Sequence, residues 1–368
     1  MQELTCAFCG TALTDVEANH FDDTVLCRDC LRNHTSICCC CDHRIWDEDN
    51  CGSDYTVLCE TCRDEEYTNC DRCGRLIRND EVYYIDDNED IPYCHSCYEE
   101  MDDATIHNYG YKPVPIFRGD GPLYMGVELE IDKGGNYESN ADELLSIANF
   151  QLENMYCKHD GSIEYGFEMV THPMTLDYHK NEMPWKKIFE KAVSMNYRSH
   201  QTSTCGLHVH VNRSAFGDIE AQEDVISRIV YFVEAHWNEL LKFSRRTEAS
   251  INRWAARYGI AENAKLTYDK AKKSNYNRYV CVNLTNYDTI EFRIFRGTLR
   301  YETFMATLQL VHEICTKAIA MSDAEFEAMC WADFVKGINQ EDKPELIRYL
   351  KSKQLYINEP TVNEEDDI

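Results

Sequence analysis

Basic side chains are scarce in this 368-residue chain: 37 Lys and Arg stand against 65 Asp and Glu, a formal charge of −28. Nonspecific binding to nucleic acid or to an anionic membrane surface depends on Lys and Arg, so neither partner is expected. Long apolar runs are missing as well. None approaches the roughly 18 residues a membrane helix requires. The opening Met1-Gln2-Glu3-Leu4 has no basic start ahead of an apolar stretch, which makes a cytoplasmic location the expectation. Hydrophobic content is not scarce: 43% apolar and 11% aromatic residues are typical of folded domains, and the length suggests two or three of them.

What is abundant is cysteine, and it is unevenly placed. Of 20 cysteines, 15 precede residue 98. Aligning Cys6, Cys38 and Cys70 exposes a threefold repeat of 32 residues, each unit carrying two Cys-x-x-Cys pairs. The pairs are Cys6/Cys9 with Cys27/Cys30, Cys38/Cys41 with Cys59/Cys62, and Cys70/Cys73 with Cys94/Cys97. Two thiolate pairs on short turns converge into a tetrahedral site, and a unit this small needs a metal staple in place of a core. Three structural Zn2+ ions are therefore expected, paired most simply within each repeat. Cys39, Cys40 and Cys51 fall outside the register and are read as bystanders, with Cys39 or Cys40 able to swap into the second site. The spacing resembles zinc-ribbon and LIM-type modules. Residues 1–100 hold 24 acids and 7 Lys or Arg, so this module is expected to face protein or peptide rather than nucleic acid. A linker is expected over 101–121, a larger domain over 122–357, and a disordered acidic tail over 358–368.

The larger domain reads as α+β: an antiparallel sheet with helices packed on its apolar face. Alternation gives strands over Tyr124–Ile131, Ser162–Met169, Leu207–Val211, Tyr279–Leu284 and Thr289–Ile294. Helical periodicity falls at 185–196, 222–243 and 302–320, with a further helix capped by Asn140. The same alternation collects Glu128, Glu130, Glu164, Glu168, His208, His210, Asn283, Glu291 and Arg293 on the opposite face, with no lysine among them. Converging carboxylates repel unless cations neutralise them, and hard oxygen donors with an imidazole suit Mg2+ or Mn2+.

The ordered motifs Gly126-Val-Glu-Leu-Glu130, Asp160-Gly-Ser-Ile163 with Glu168-Met-Val-Thr171, Cys205-Gly-Leu-His-Val-His210 and Glu291-Phe-Arg293 resemble the amidoligase family. That family belongs to the carboxylate–amine ligases related to glutamine synthetase and glutamate–cysteine ligase. The resemblance covers roughly residues 122–315. It implies a curved, glutamine synthetase-like sheet and ATP-dependent joining of a carboxylate to an amine through an acyl phosphate. It also implies that Glu128, Glu130, Glu168, His208 and Glu291 hold the divalent ion; Glu164, which departs from the family's spacing, competes with Glu168 only because the two share a strand face. Arg293 matches the phosphate-facing arginine, and His210 the second histidine of its strand.

Asp160 and Ser162 read either as a simple turn or as substrate contacts. Arg278 and Asn283 are candidates for phosphate or substrate. The basic run Lys265, Lys270, Lys272 and Lys273 reads as a solvated face or as a loop over ATP, and Arg245, Arg246 and Arg296 are further cationic candidates. Cys205 has no base beside it and is read as a turn residue. Two other functions fit less of the pattern: an interaction adaptor with an inactive ligase-like domain, and a metal-dependent hydrolase built on His208 and His210.

Overall fold

A computed structural model describes residues 4–53, 55–84, 91–101, 104–202, 204–274 and 278–356. The acidic tail lies outside these residues. The chain divides into two compact units, 1–103 and 104–368.

The first unit repeats one local plan. A Cys-x-x-Cys turn closes through a residue in the left-handed region, Gly10 at φ 70°, Asp42 at 59° and Gly74 at 70°. Each of these residues donates its N–H to the carbonyl of the first cysteine of its turn. The second pair opens a helix: Cys27 precedes Arg28–His34, Cys59 precedes Glu60–Glu66, and Cys94 precedes His95–Met101. The apolar content is thin, with Leu26 and Leu58 the buried leucines of the first two repeats. One buried leucine contributes about 1.5–3 kcal/mol. Ordering the backbone costs about 1–2 kcal/mol for every residue.

The second unit is built on a seven-stranded sheet: β1 (Ile106–His107), β2 (Met125–Ile131), β3 (Met155–Lys158), β4 (Phe167–Thr171), β5 (Gly206–Asn212), β6 (Val282–Asn283) and β7 (Thr289–Arg296). Their order is β1-β3-β4-β2-β5-β7-β6. All pairs are antiparallel except β1 with β3. The α+β class stands, with one parallel edge added to the expected antiparallel sheet. Val127, Leu129, Met169, Leu207, Val209, Ile290 and Phe292 are fully buried on the apolar face. Helices Trp185–Ser194, Ile219–Ala235 and Tyr301–Ala320 contribute to the same core.

Several boundaries differ from the sequence reading. Ile106–His107, inside the expected linker, is the parallel edge strand. Residues 162–166 are turn and bend, so that strand begins only at Phe167. Asn140 does not cap its helix, which begins at Glu138; its amide instead reaches the Gly134 carbonyl and the Tyr197 hydroxyl. The 222–243 stretch is two helices, broken at His236. Lys265, Lys270, Lys272 and Lys273 sit on the helix Ala264–Lys273, not on a loop, and Lys272 pairs with Glu223 and Asp269.

A polar sheet face built from cross-strand rows

Register decides which side chains meet. Glu128 on β2 lies opposite His208 on β5, and Glu130 opposite Glu168 on β4. His210 lies opposite Glu291 on β7, which in turn faces Asn283 on β6. A one-residue bulge in β7 sets Leu207 opposite Phe295 but Val209 opposite Phe292. Without that extra residue, alternation would bring Phe295 onto the polar face. With it, Phe295 stays in the core and Arg296 joins Arg293 on the polar side. Gly206 is needed here: a Cβ would lie 2.5 Å from His208 Nε2 and 3.0 Å from Arg246 Nη2.

Two triads of donor atoms result, Glu128/His208/Glu291 and Glu130/Glu168/His208, each within 4.8 Å, and His208 belongs to both. His208 Nδ1 is 3.4 Å from Glu128 Oε2 and 3.6 Å from Glu291 Oε1, while its Nε2 is 3.7 Å from Glu130 Oε1. His210 Nε2 lies 3.2 Å from Glu128 Oε1. Asn283 donates to Glu291 Oε2 at 2.8 Å, and the Arg293 guanidinium pairs with Glu291 Oε1. Glu130, Glu168, His208 and Glu291 are all buried.

The two halves of the cluster differ electrostatically. Burial is the largest influence on Glu128 and Glu291 and works against ionising them, yet His210 and His208, joined by Lys158 at Glu128 and Arg293 at Glu291, together outweigh it and hold both carboxyls below their usual range. Burial also opposes a charged His210, but Glu128 and Glu291 raise its affinity for a proton. Glu130 and Glu168 lack that compensation. Burial pushes both up, and Glu128's charge pushes Glu168 further. A carboxyl pair forced to hold protons is a place where a divalent cation can replace them.

The expectation that no lysine shares this face is corrected. Lys158, on the unforeseen strand β3, sits opposite Glu168 and reaches Glu168 Oε2 at 3.3 Å and Glu128 Oε1 at 3.9 Å. The sequence carries only a brief hint of it, two buried apolar positions, Met155 and Cys157, in a four-residue strand. Lys158 and Arg293 thus join His210 as cationic groups in contact with the carboxylates of this face.

Glu164 does not join the cluster; it is exposed in a bend before β4. Asp160 and Ser162 form a closed turn, Ser162 donating from its N–H at 2.8 Å and its hydroxyl at 2.6 Å to Asp160 Oδ1. Asp160's charge nevertheless acts on both Glu130 and Glu168. Arg278 sits against the rings of Tyr109 and Tyr279, which also lie under Lys158 and Arg293 respectively. Arg246 is buried near Gly206, and burial pushes its guanidinium down to about 10. Burial drives the Cys205 thiol up to about 12, the opposite of an activated nucleophile.

In the first unit the twelve in-register cysteines form three tetrads, each within one repeat, and Cys39, Cys40 and Cys51 are exposed outside them. Facing Sγ atoms lie 3.9 Å apart in Cys9/Cys27 and 3.7 Å apart in Cys41/Cys59 and Cys73/Cys94. A tetrahedron with Zn–S bonds of about 2.3 Å has edges of about 3.8 Å, so the sulfurs fit zinc. Cys6, Cys38 and Cys70 are each pushed down to about 6. For Cys6 the leading cause is the Cys27 backbone N–H; for the other two, burial is the largest single influence and is outweighed only by several hydrogen bonds together, from Cys59, Cys41 and Cys40 to Cys38 and from Cys94, Cys73 and Arg72 to Cys70.

The polar sheet face thus gathers carboxylates, imidazoles, a lysine and an arginine around one point. Residues 128–315 match a family described as "Putative amidoligase enzyme". That match takes in half of the chain and every strand of the sheet except the edge strand β1, entering β2 at Glu128, and the chain belongs to this family. No curated protein sequence matches. A crystal structure of the complex between prokaryotic ubiquitin-like protein Pup and its ligase PafA aligns at 9% identity, over 66% of this chain and 59% of that chain, with a TM-score of 0.28. The likeness is too slight to define the fold.

Proposed function

We propose that the second unit is an ATP-dependent ligase that joins a carboxylate to an amine through an acyl phosphate, and that the cysteine unit holds three Zn2+ ions and recruits a protein or peptide substrate. The observation that supports the ligase reading most strongly is the pair of buried donor triads sharing His208. Mg2+ or Mn2+ held there would offset the triphosphate charge and polarise the terminal phosphoryl group.

In the first half-reaction a substrate carboxylate oxygen attacks the γ-phosphorus and the bond to ADP breaks. In the second the amine nitrogen attacks the acyl carbon, phosphate leaves with the bonding pair, and the amine gives up a proton. Glu128, Glu130, Glu168, His208 and Glu291 bind the cation. Arg293 keeps one guanidinium nitrogen on Glu291 and turns its other terminal nitrogen to the phosphoryl oxygens. Asn283 holds Glu291 in place. His210 carries a proton between Glu128 and Glu291, which keeps both carboxylates ionised. Arg278, on its tyrosine rim, meets phosphate or substrate at the entrance, and the Asp160–Ser162 turn borders the site.

The test is ATP turnover with Mg2+ while pools of amino acids, polyamines and peptides are screened, with condensed products identified by mass spectrometry. ADP formation coupled to an amide product, lost in Glu130→Gln and Glu291→Gln, supports the reading. Ligation that survives both substitutions rules it out.

A further inference from the structure

At the end of the polar face marked by Glu130 and Gly206, the second unit holds a half-open cavity of about 830 Å³. Arg198, Lys242, Arg245, Arg296 and Lys353 line it. Its two wall carboxylates are already engaged, Glu302 by Arg300 and Glu345 by Arg348 and Gln309. Among the described residues, none of the five cations lies within ion-pair distance of a carboxylate. In a chain of charge −28 this is a local inversion of sign.

Arg245 shows what is missing. Its backbone is held in the left-handed region at φ 66°, an uncommon state for a residue with a Cβ. Its terminal nitrogens reach only the carbonyls of Arg296 and Gly297 and the His200 ring, and its Nε is buried without a partner. Burial, with Arg296 adding to it, depresses the basicity of this guanidinium. Desolvated, mutually repelling cations are costly unless an anion neutralises them.

We propose that this cavity binds an acidic peptide segment and presents it to the metal-binding face as the ligase's carboxylate substrate; this rests on the ligase reading above. Guanidinium forks match carboxylates in bidentate geometry, and the volume falls in the range of small-ligand sites. The connection to the cluster is short. Ser199 lines the cavity and donates to the Glu130 carbonyl at 2.8 Å, and Arg296 stands opposite Gly206, whose N–H donates to Glu130 Oε2 at 2.7 Å. A metal-bound nucleotide fits less well, because neither wall carboxylate is free to hold its cation.

The test is fluorescence polarisation of a labelled tetraglutamate peptide with the full-length protein, against a tetraglutamine control and without ATP. Tetraglutamate should bind preferentially. The double substitution Lys242→Glu/Lys353→Glu should weaken binding at least roughly tenfold, about what one charge-assisted hydrogen bond supplies, with an unchanged thermal midpoint as the folding control. Equal binding of the two peptides, or no change in the double variant, overturns the proposal. So does inorganic triphosphate binding more tightly than tetraglutamate with loss in the same variant, which assigns the cavity to phosphate. Tetraglutamate binding with no ligation of any substrate would sink the ligase reading alone. Ligation of non-acidic carboxylates with no tetraglutamate binding would sink the cavity assignment alone.

Discussion

The two units solve folding in opposite ways. In residues 1–103 the cysteines stand where a core would be: each of the first two repeats has one fully buried leucine against four converging sulfurs. In residues 104–356 a continuous apolar core runs under the sheet, and the ionisable cluster sits on its other face as an addition the fold does not require. The lesson concerns separability. Ligand residues of the first unit are structural, so losing one should cost the fold. Those of the second serve chemistry in the proposed ligase, so losing one should cost activity and leave the fold standing.

The largest expected effect tests the first half of that contrast. Cys27→Ala, or chelation, should unfold its repeat, because structural zinc contributes apparent energies of about 10–16 kcal/mol. The far-ultraviolet signal of the second unit and its thermal midpoint should persist, and Cys39→Ala should leave the zinc content unchanged. Unfolding of the whole chain on chelation would erase the distinction. Next comes Glu291→Gln or Glu130→Gln, expected to lower ligation by about a hundredfold, the size of losing one electrostatic stabiliser, while the melting curve holds. Arg293→Lys should cost roughly tenfold in kcat, since the ammonium cannot reproduce the fork donated by a guanidinium.

A smaller effect follows from protonation. Burial raises the proton affinity of Glu130 and Glu168 in the folded state, so the folded metal-free protein binds more protons there than the unfolded chain does. The stabilisation from these protonated carboxyls is lost as pH rises past the ordinary carboxylate range toward their raised values. Mn2+ replaces those protons, so the rise in Tm that it produces should grow with pH; calorimetry in buffers from mildly acidic to mildly alkaline measures it. A constant or shrinking rise would contradict the assignment. Smallest of all is Glu164→Gln, exposed and away from the triads, which should change ligation less than about twofold, within the usual range for surface substitutions.

Much of this contrast was legible in the amino-acid order. The 32-residue period identified the twelve in-register cysteines and made pairing within each repeat the simplest choice, and the structure groups them that way. Strand alternation over β2, β5 and β7 placed Glu128, Glu130, His208, His210, Glu291 and Arg293 on one face. Residues without a long alternating run escaped. Lys158 lies on a four-residue strand, too short for period alone to reveal, and it changes the charge balance of the face. Glu164 was drawn in by extending alternation through a turn that Asp160 and Ser162 close. Arg296 reaches the polar side only because of the β7 bulge, a register shift that no local pattern encodes. The cationic cavity is assembled from segments far apart in the chain, at 198–201, 242–245, 296–303 and 345–353.

The central claim, that the polar sheet face transfers a phosphoryl group to a carboxylate before amide formation, is tested most directly by isotope transfer. A carboxylate substrate found in the screen is labelled with oxygen-18 in both carboxyl oxygens and ligated with ATP. The account predicts one labelled oxygen in the released inorganic phosphate and one retained in the amide. Label appearing in AMP, or unlabelled phosphate alongside the amide, would contradict it.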